Sequence, residues 1–291
     1  MKHKSVLDSP RLSEMKIAKR KVLKRKVYFS LAGFLVALTS LACLSRWKNL
    51  NINNVEAVGN KVITEEQIKS IVKEKIDGNY FLILPKSNFS FYPREEIEEE
   101  LRTKFKRIGS LSLKLKDLQT LEISLTERTP LYTWCGVALK ETEILMLEEN
   151  ACYFIDESGY VFDKAPYFSG DVYTKLYGNI EMHEGDPMGY YFKIDTFQKI
   201  VSYKETLQKV GLKISSFQIE DNQEIKVFLS SAQKTGPMII FKQTDDFEHV
   251  IENLQASLTT EPLLSNFKKK YSKLEYIDLR FGNKVYYKFN D

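Results

Sequence analysis

The sequence holds 291 residues, 43% hydrophobic and 28% charged, which excludes a disordered chain and leaves room for two ordinary domains. Its formal net charge of +4 is unevenly spread: ten of the 43 Lys and Arg fall in residues 1–26 beside Asp8 and Glu14, and residues 46–291 carry more acidic than basic side chains. A basic folded face for nucleic acid is thereby excluded, because the positive excess sits in a short tail.

Residues 1–26 read as a basic cytoplasmic tail and residues 27–45, VYFSLAGFLVALTSLACLS, as a membrane helix without a charge. Such a helix spans roughly 28 Å at 1.5 Å per residue, close to the hydrocarbon thickness of a bilayer. KRKVLKRK precedes the run and Trp47 follows it. The positive-inside rule therefore places everything after Arg46 outside the membrane. A buried core helix of this length would normally be relieved by polar residues on one face. Both the basic segment and the apolar run are long for a cleaved signal peptide, so an uncleaved anchor is expected. SLACLS suggests a lipidated Cys43 as a lesser alternative; otherwise Cys43 is a small apolar residue within the membrane.

The outer part opens with a strand over residues 52–58. Gly59-Asn60 makes a turn, and Thr64 with Gln67 forms a capping box. Ile68, Ile71, Val72 and Ile76 share one face of the helix that follows, and Gly78 ends it. A second helix starts at Pro93, with Ile97, Leu101 and Phe105 four apart. Acidic residues fill its first turns and basic ones its last, which complements the helix dipole, and Glu98–Arg102 and Glu100–Lys104 are expected pairs. Two alternating strands follow, LSLKLK and TLEISLTE, each with one buried face.

From about Leu131 a second domain begins. Strand-like runs cover 152–155, 160–163, 214–218, 225–229 and 238–241; helices cover 192–210 and 247–258. Cys135 and Cys152, both outside the membrane, flank two strands and a loop. They either pair in an oxidising compartment or remain separate buried thiols; their spacing does not decide.

VEAVGNKVITEEQI and SLSLKLKDLQTLEISLTERTPLYTW, with Glu127-Arg128-x-Pro130 and Trp134, resemble the POTRA domain of FtsQ/DivIB-type bacterial division proteins. FIDESGYVF and YIDLRFGNKVYYK resemble the outer domain of that family. The segment between Cys135 and Cys152 departs from the family pattern by its length, and FKQTDDFEHVIENL by lacking a glycine before its helix. The fold expected is α+β. A single transmembrane helix leads to a POTRA domain (β-α-α-β-β) over 50–130, then to a β-rich domain over 131–291 with an antiparallel sheet and flanking helices. The resemblance implies a non-catalytic, single-pass scaffold of the inner membrane at the division septum. Its partners would be FtsB/DivIC-like and FtsL-like membrane proteins, without cofactor, nucleic acid or small-molecule substrate.

The last stretch, LEYIDLRFGNKVYYKFND, reads as a hairpin. Turn chemistry favours a two-residue Gly282-Asn283 turn. The alternation instead favours a three-residue loop, 282–284, with Phe281 opposite Val285, Leu279 opposite Tyr287, Ile277 opposite Phe289 and Asp278 opposite Lys288. Pattern is expected to prevail, since a one-residue slip turns every side chain over. If the second strand lies at a sheet edge, its unpaired backbone is a template for another chain, guarded by Lys284 and Lys288 and anchored by Tyr286 and Tyr287. The resemblance implies strand addition here, with Arg280, Phe281, Val285, Tyr286, Tyr287 and Lys288 at the interface and Arg280 free to grip a partner carboxylate. Otherwise Arg280 is a cross-strand surface charge.

GxSxG, HExxH, P-loop and GxGxxG patterns are absent from the sequence. His183 in EMHEGDP and His249 stand apart from other chemistry-bearing residues, and Asp156, Glu157 and Asp163 flank a Ser-Gly turn where Asp bonds its own backbone. Neither catalytic nor metal residues are expected. The competing reading is a secreted or lipid-anchored cell-wall enzyme or wall-binding protein with a POTRA-like module.

Overall fold

The computed structural model describes residues 10–81, 83–137, 152–168, 170–180, 185–209, 211–231 and 236–290. The chain is mixed α+β, with one long apolar N-terminal helix and a large sheet. It divides into two compact units: Met1–Arg102 with Ser110–Thr126, and Thr103–Gly109 with Glu127–Asp291.

In the first unit, α1 (Pro10–Ser45) is 36 residues long, and its Ile17–Ser45 stretch is long and apolar enough to cross a membrane, with none of its most apolar window buried. A short 3-10 turn (Lys48–Leu50) leads to β1 (Asn54–Val58) and α2 (Glu65–Ile76). The capping box forms: Gln67 N–H donates to Thr64 Oγ1 at 3.3 Å and Thr64 N–H to Gln67 Oε1 at 2.9 Å. Two orphan donors at the helix start are thus satisfied, and the Ile68, Ile71, Val72 and Ile76 face is buried. A small hairpin, β2 (Asn79–Tyr80) with β3 (Leu84–Pro85), precedes α3 (Arg94–Lys104), whose Ile97 and Leu101 are buried. On α3, Glu98 meets Arg94 at 3.0 Å and Glu100 meets Lys75 of α2 at 2.8 Å. Exposed pairs contribute under about 1 kcal/mol, so local pattern selects weakly among them.

β4 (Ile108–Leu115) and β5 (Thr120–Glu127) complete a three-stranded sheet of order β1-β5-β4, with β1 parallel to β5. Leu121, Ile123 and Leu125 turn one buried face toward the helices' apolar stripes. Gly59 leaves β1 at φ 88°, and a Cβ there would stand 2.1 Å from the Leu125 carbonyl oxygen; only glycine fits both conditions.

The second unit holds a nine-stranded sheet. Its strands are β6 (Tyr132–Trp134), β7 (Tyr153–Ile155), β8 (Val161–Lys164), β9 (Thr174–Tyr177), β10 (Ile214–Ile219), β11 (Glu224–Leu229), β12 (Met238–Lys242), β13 (Leu274–Phe281) and β14 (Lys284–Phe289), in the order β14-β13-β12-β11-β10-β9-β6-β7-β8. The expectation of an antiparallel sheet is corrected: β6–β9, β9–β10 and β12–β13 are parallel. A parallel pair needs a long crossover, and α4 (Ile194–Lys209) supplies one between β9 and β10, while α5 (Phe247–Leu258) and α6 (Leu263–Lys270) supply another between β12 and β13. Phe197, Ile200, Tyr203 and Leu207 of α4 and Val250 and Leu254 of α5 are buried with Phe217, Val227, Phe241 and Ile277 of the sheet in one continuous core.

Candidate partner-binding edge

β13 and β14 meet in a hairpin that satisfies turn chemistry and, up to Leu279, the alternation. The turn is the two-residue one, with Phe281 opposite Lys284 and Gly282 at φ 64°. This corrects the expected three-residue loop. The register shifts between Asp278 and Phe281, so that Ile277 faces Tyr287 and Asp278 faces Tyr286; a second shift between Leu274 and Tyr276 sets Leu274 opposite Phe289. The irregularities let glycine take the turn and keep Ile277 and Leu279 on the buried face, while Phe281 leaves it and stands half exposed beside Tyr286. Ile277 and Leu279 are buried, and Val285, Tyr287 and Phe289 pack half-buried against the same core. The anticipated Asp278–Lys288 pair is absent, because Lys288 stands opposite Tyr276 and meets Glu275 at 2.7 Å.

α5 holds the turn from behind. Asn253 Nδ2 donates to the Gly282 carbonyl at 3.1 Å, and His249 Nε2 lies 3.0 Å from Asn283 Oδ1. The strand that follows is therefore presented in a fixed shape, which lowers the entropy cost of pairing with it.

β14 is the last strand of the sheet order and, among the described residues, has a strand neighbour on one side only. The Asn290 N–H donates inward to the Lys273 carbonyl at 2.7 Å. Backbone groups alternate along a strand, so Lys288 and Tyr286 also bond inward, and the N–H and C=O of Val285, Tyr287 and Phe289 face outward. The opposite edge differs. Val161 of β8 donates to the Tyr190 carbonyl at 2.9 Å and accepts from Gly189 N–H at 2.8 Å, so a loop bonds the first residue of that strand.

Side chains flank the open edge on both faces. Phe281 and Tyr286, each about half exposed, form an edge-to-face pair with centroids 5.1 Å apart. Tyr287 and Phe289 form another at 5.9 Å on the helix side.

Arg280 has a different place from the one expected. Its Nε donates to Asp278 Oδ1 at 2.9 Å, its Nη2 to Asp278 Oδ2 at 2.5 Å, and its Nη1 to Glu224 of β11. The fork is occupied within the protein, and Asp278 is 5% exposed. Burial pushes the Asp278 carboxyl up, and the Arg280 hydrogen bonds more than reverse this, holding it below the usual carboxylate range. Those same bonds raise the Arg280 guanidinium further. Arg280 thus braces β13 against β11 and is not a free grip for a partner.

The remaining candidates resolve as structure. Asp156 Oδ1 accepts from Ser158 N–H at 2.9 Å and Tyr160 N–H at 3.0 Å, while Oδ2 takes Arg128, whose guanidinium also lies 4.2 Å above the Tyr160 ring. Asp163 pairs with Arg107 at 2.7 Å. Cys135 and Cys152 are disulfide-bonded, their Cα atoms 4.3 Å apart. Among the described residues, no group of three His, Cys, Asp or Glu could hold a metal, and His183 lies outside those residues.

This chain matches no known family model and no curated protein.

Proposed function

We propose that this protein is a non-catalytic membrane-anchored scaffold of the FtsQ/DivIB kind. α1 holds it in the cell membrane with the basic tail in the cytoplasm, and β14 captures an extended segment of an FtsB/DivIC-like division protein by strand addition. An FtsL-like protein belongs to the same septal assembly. The observation that carries this reading is the sheet order: among the described residues β14 has one strand neighbour and its outward backbone groups face away from the sheet, whereas at the opposite edge a loop bonds the first residue of β8. Support also comes from the first unit, where a small β2–β3 hairpin interrupts an otherwise strand–helix–helix–strand–strand order, and from the apolar span of α1. In this mode backbone bonds supply affinity and the alternating side chains supply register.

A photoreactive residue in place of Tyr286 in the full-length protein tests the reading in dividing cells. The expected adduct joins position 286 to the FtsB/DivIC-like protein, whereas the same probe at Lys175, in the middle of the sheet, yields none. Equal adducts from both positions, or none from 286 while the protein localises normally, would overturn it.

A further inference from the structure

α1 does not run into a free linker. Its last residue, Ser45, is buried, and the Ser45 carbonyl accepts from the side-chain amides of Asn51 and Asn88, each at 3.0 Å. Backbone bonds continue the fastening: Ile52 N–H donates to the Ser87 carbonyl at 2.8 Å and Phe89 N–H to the Leu50 carbonyl at 3.1 Å. β3 lies against α1 itself. The β2–β3 hairpin is therefore attached to the point where the helix leaves its apolar span.

That hairpin carries an unfavourable choice twice over at one position. Phe81 has φ 49° and is 90% exposed. The left-handed region is costly for a bulky side chain and would normally go to glycine or asparagine. A whole aromatic ring in water is a second cost, and such outliers are informative when they stand together. Ile83, two residues on, is 51% exposed, and Tyr80 at the hairpin's base lies under the Lys86 ammonium, 5.5 Å from its ring. Trp47, two residues beyond α1, is 64% exposed. Leu118 is 47% exposed on the turn whose Gln119 reaches Asn49 at 3.3 Å and accepts the Asn53 N–H at 2.8 Å. Exposed apolar side chains thus ring the exit of one helix, accompanied by a tyrosine and a lysine.

We infer that the β2–β3 tip, led by Phe81 and Ile83, inserts into the outer interface of the same bilayer that α1 crosses. The inference rests on α1 being a membrane anchor. Its occupant is phospholipid, because β3 lies against α1 and the hairpin carries the aromatic and lysine side chains that favour the headgroup boundary. Phe81 is three residues from Leu84, so it stands at most about 11 Å from β3, the strand beside α1. Burial in the interface removes the cost of exposing Phe81, and a second attachment beside a single helix fixes the tilt of the first unit at the membrane surface.

The test uses the full-length protein in phosphatidylcholine vesicles, with Cys43→Ser and an environment-sensitive dye on Phe81→Cys. Reference labels go on Val36→Cys within α1 and Val58→Cys at the far end of β1. The expected result is blue-shifted emission at 81, quenched by a nitroxide lipid labelled near the headgroup and shielded from aqueous iodide, with 58 open to iodide. Ile83→Cys should report the same. Iodide quenching at 81 with lipid quenching at 36 would overturn the inference and leave the anchor standing. Shielding at 81 without nitroxide quenching would mean that protein covers the tip, and would overturn it too. Iodide quenching at both 36 and 81 would overturn the anchor and the inference together.

Discussion

Replacing Val285 with proline removes an outward-facing N–H from β14 and leaves the inward ladder to β13 in place. The outward set comprises Val285, Tyr287 and Phe289, by alternation from the inward bond of Asn290 to Lys273. A partner strand would use both backbone groups of each residue. Deleting one donor loses a hydrogen bond worth about 0.5–1.5 kcal/mol net and strands a partner carbonyl at about 1–3 kcal/mol. At 1.4 kcal/mol per tenfold, the affinity for the partner's extended segment should fall roughly 10- to 1,000-fold. The fold should lose little, about 1 kcal/mol, since Val285 is half-buried and proline suits an edge position whose N–H faces solvent. Tyr286→Pro is the matched control: it removes an inward donor and should lower thermal stability as well as binding. Both are read by titrating reconstituted full-length protein with the extracytoplasmic segment of the FtsB/DivIC-like protein, alongside a thermal melt. Wild-type affinity in Val285→Pro with an unchanged melt would refute the outward assignment and strand addition with it.

Gly59→Ala should destabilise the first unit by on the order of 2–3 kcal/mol, because φ 88° and a Cβ 2.1 Å from the Leu125 oxygen cannot both be relieved; chemical denaturation measures it. Arg280→Ala leaves Asp278 buried beside Glu224 without its cation and should cost about 3 kcal/mol, with the Asp278 carboxyl rising. The carboxyls of Asp278 and Asp156 are both held below their ordinary value of 3.8 in the folded state, each against the opposing push of burial. Their stabilisation is therefore complete above that value and is lost as pH falls through the lower folded pKa, so a pH series of melts should show a decline setting in below about pH 4. In Arg280→Ala the decline should begin at higher pH. Reducing the Cys135–Cys152 bond, which closes a sequence separation of 17, should lower stability by about 3 kcal/mol on chain-entropy grounds, read by melts with and without reductant. Val36→Arg should move the protein out of the membrane fraction; an unaltered fraction would contradict the reading of α1.

Local features were the legible ones. The capping box at Thr64 and the buried faces of α2 and α3 follow from spacing within one helix, and the alternation of β11 follows from that strand alone. Strand order was not legible, because it depends on how α4 and the α5–α6 pair carry the chain back across the sheet. β6 and β9 have three and four residues, too few for alternation to rise above chance. The turn at Gly282 escaped because both registers considered were regular, whereas the strand pair shifts register beside the turn and keeps Ile277 and Leu279 buried. Asp278 and Arg280, two apart on one face of a strand, were visible as neighbours, but Glu224 comes from β11 and only the folded sheet brings it to the guanidinium.

Amide hydrogen exchange along β14, with and without the partner segment, bears most directly on the proposed strand addition. The amides of Val285, Tyr287 and Phe289 should exchange freely in the protein alone and become protected in the complex, while those of Tyr286 and Lys288 are slow in both. Protection of the outward set before any partner is added, or its continued free exchange in a formed complex, would contradict the account.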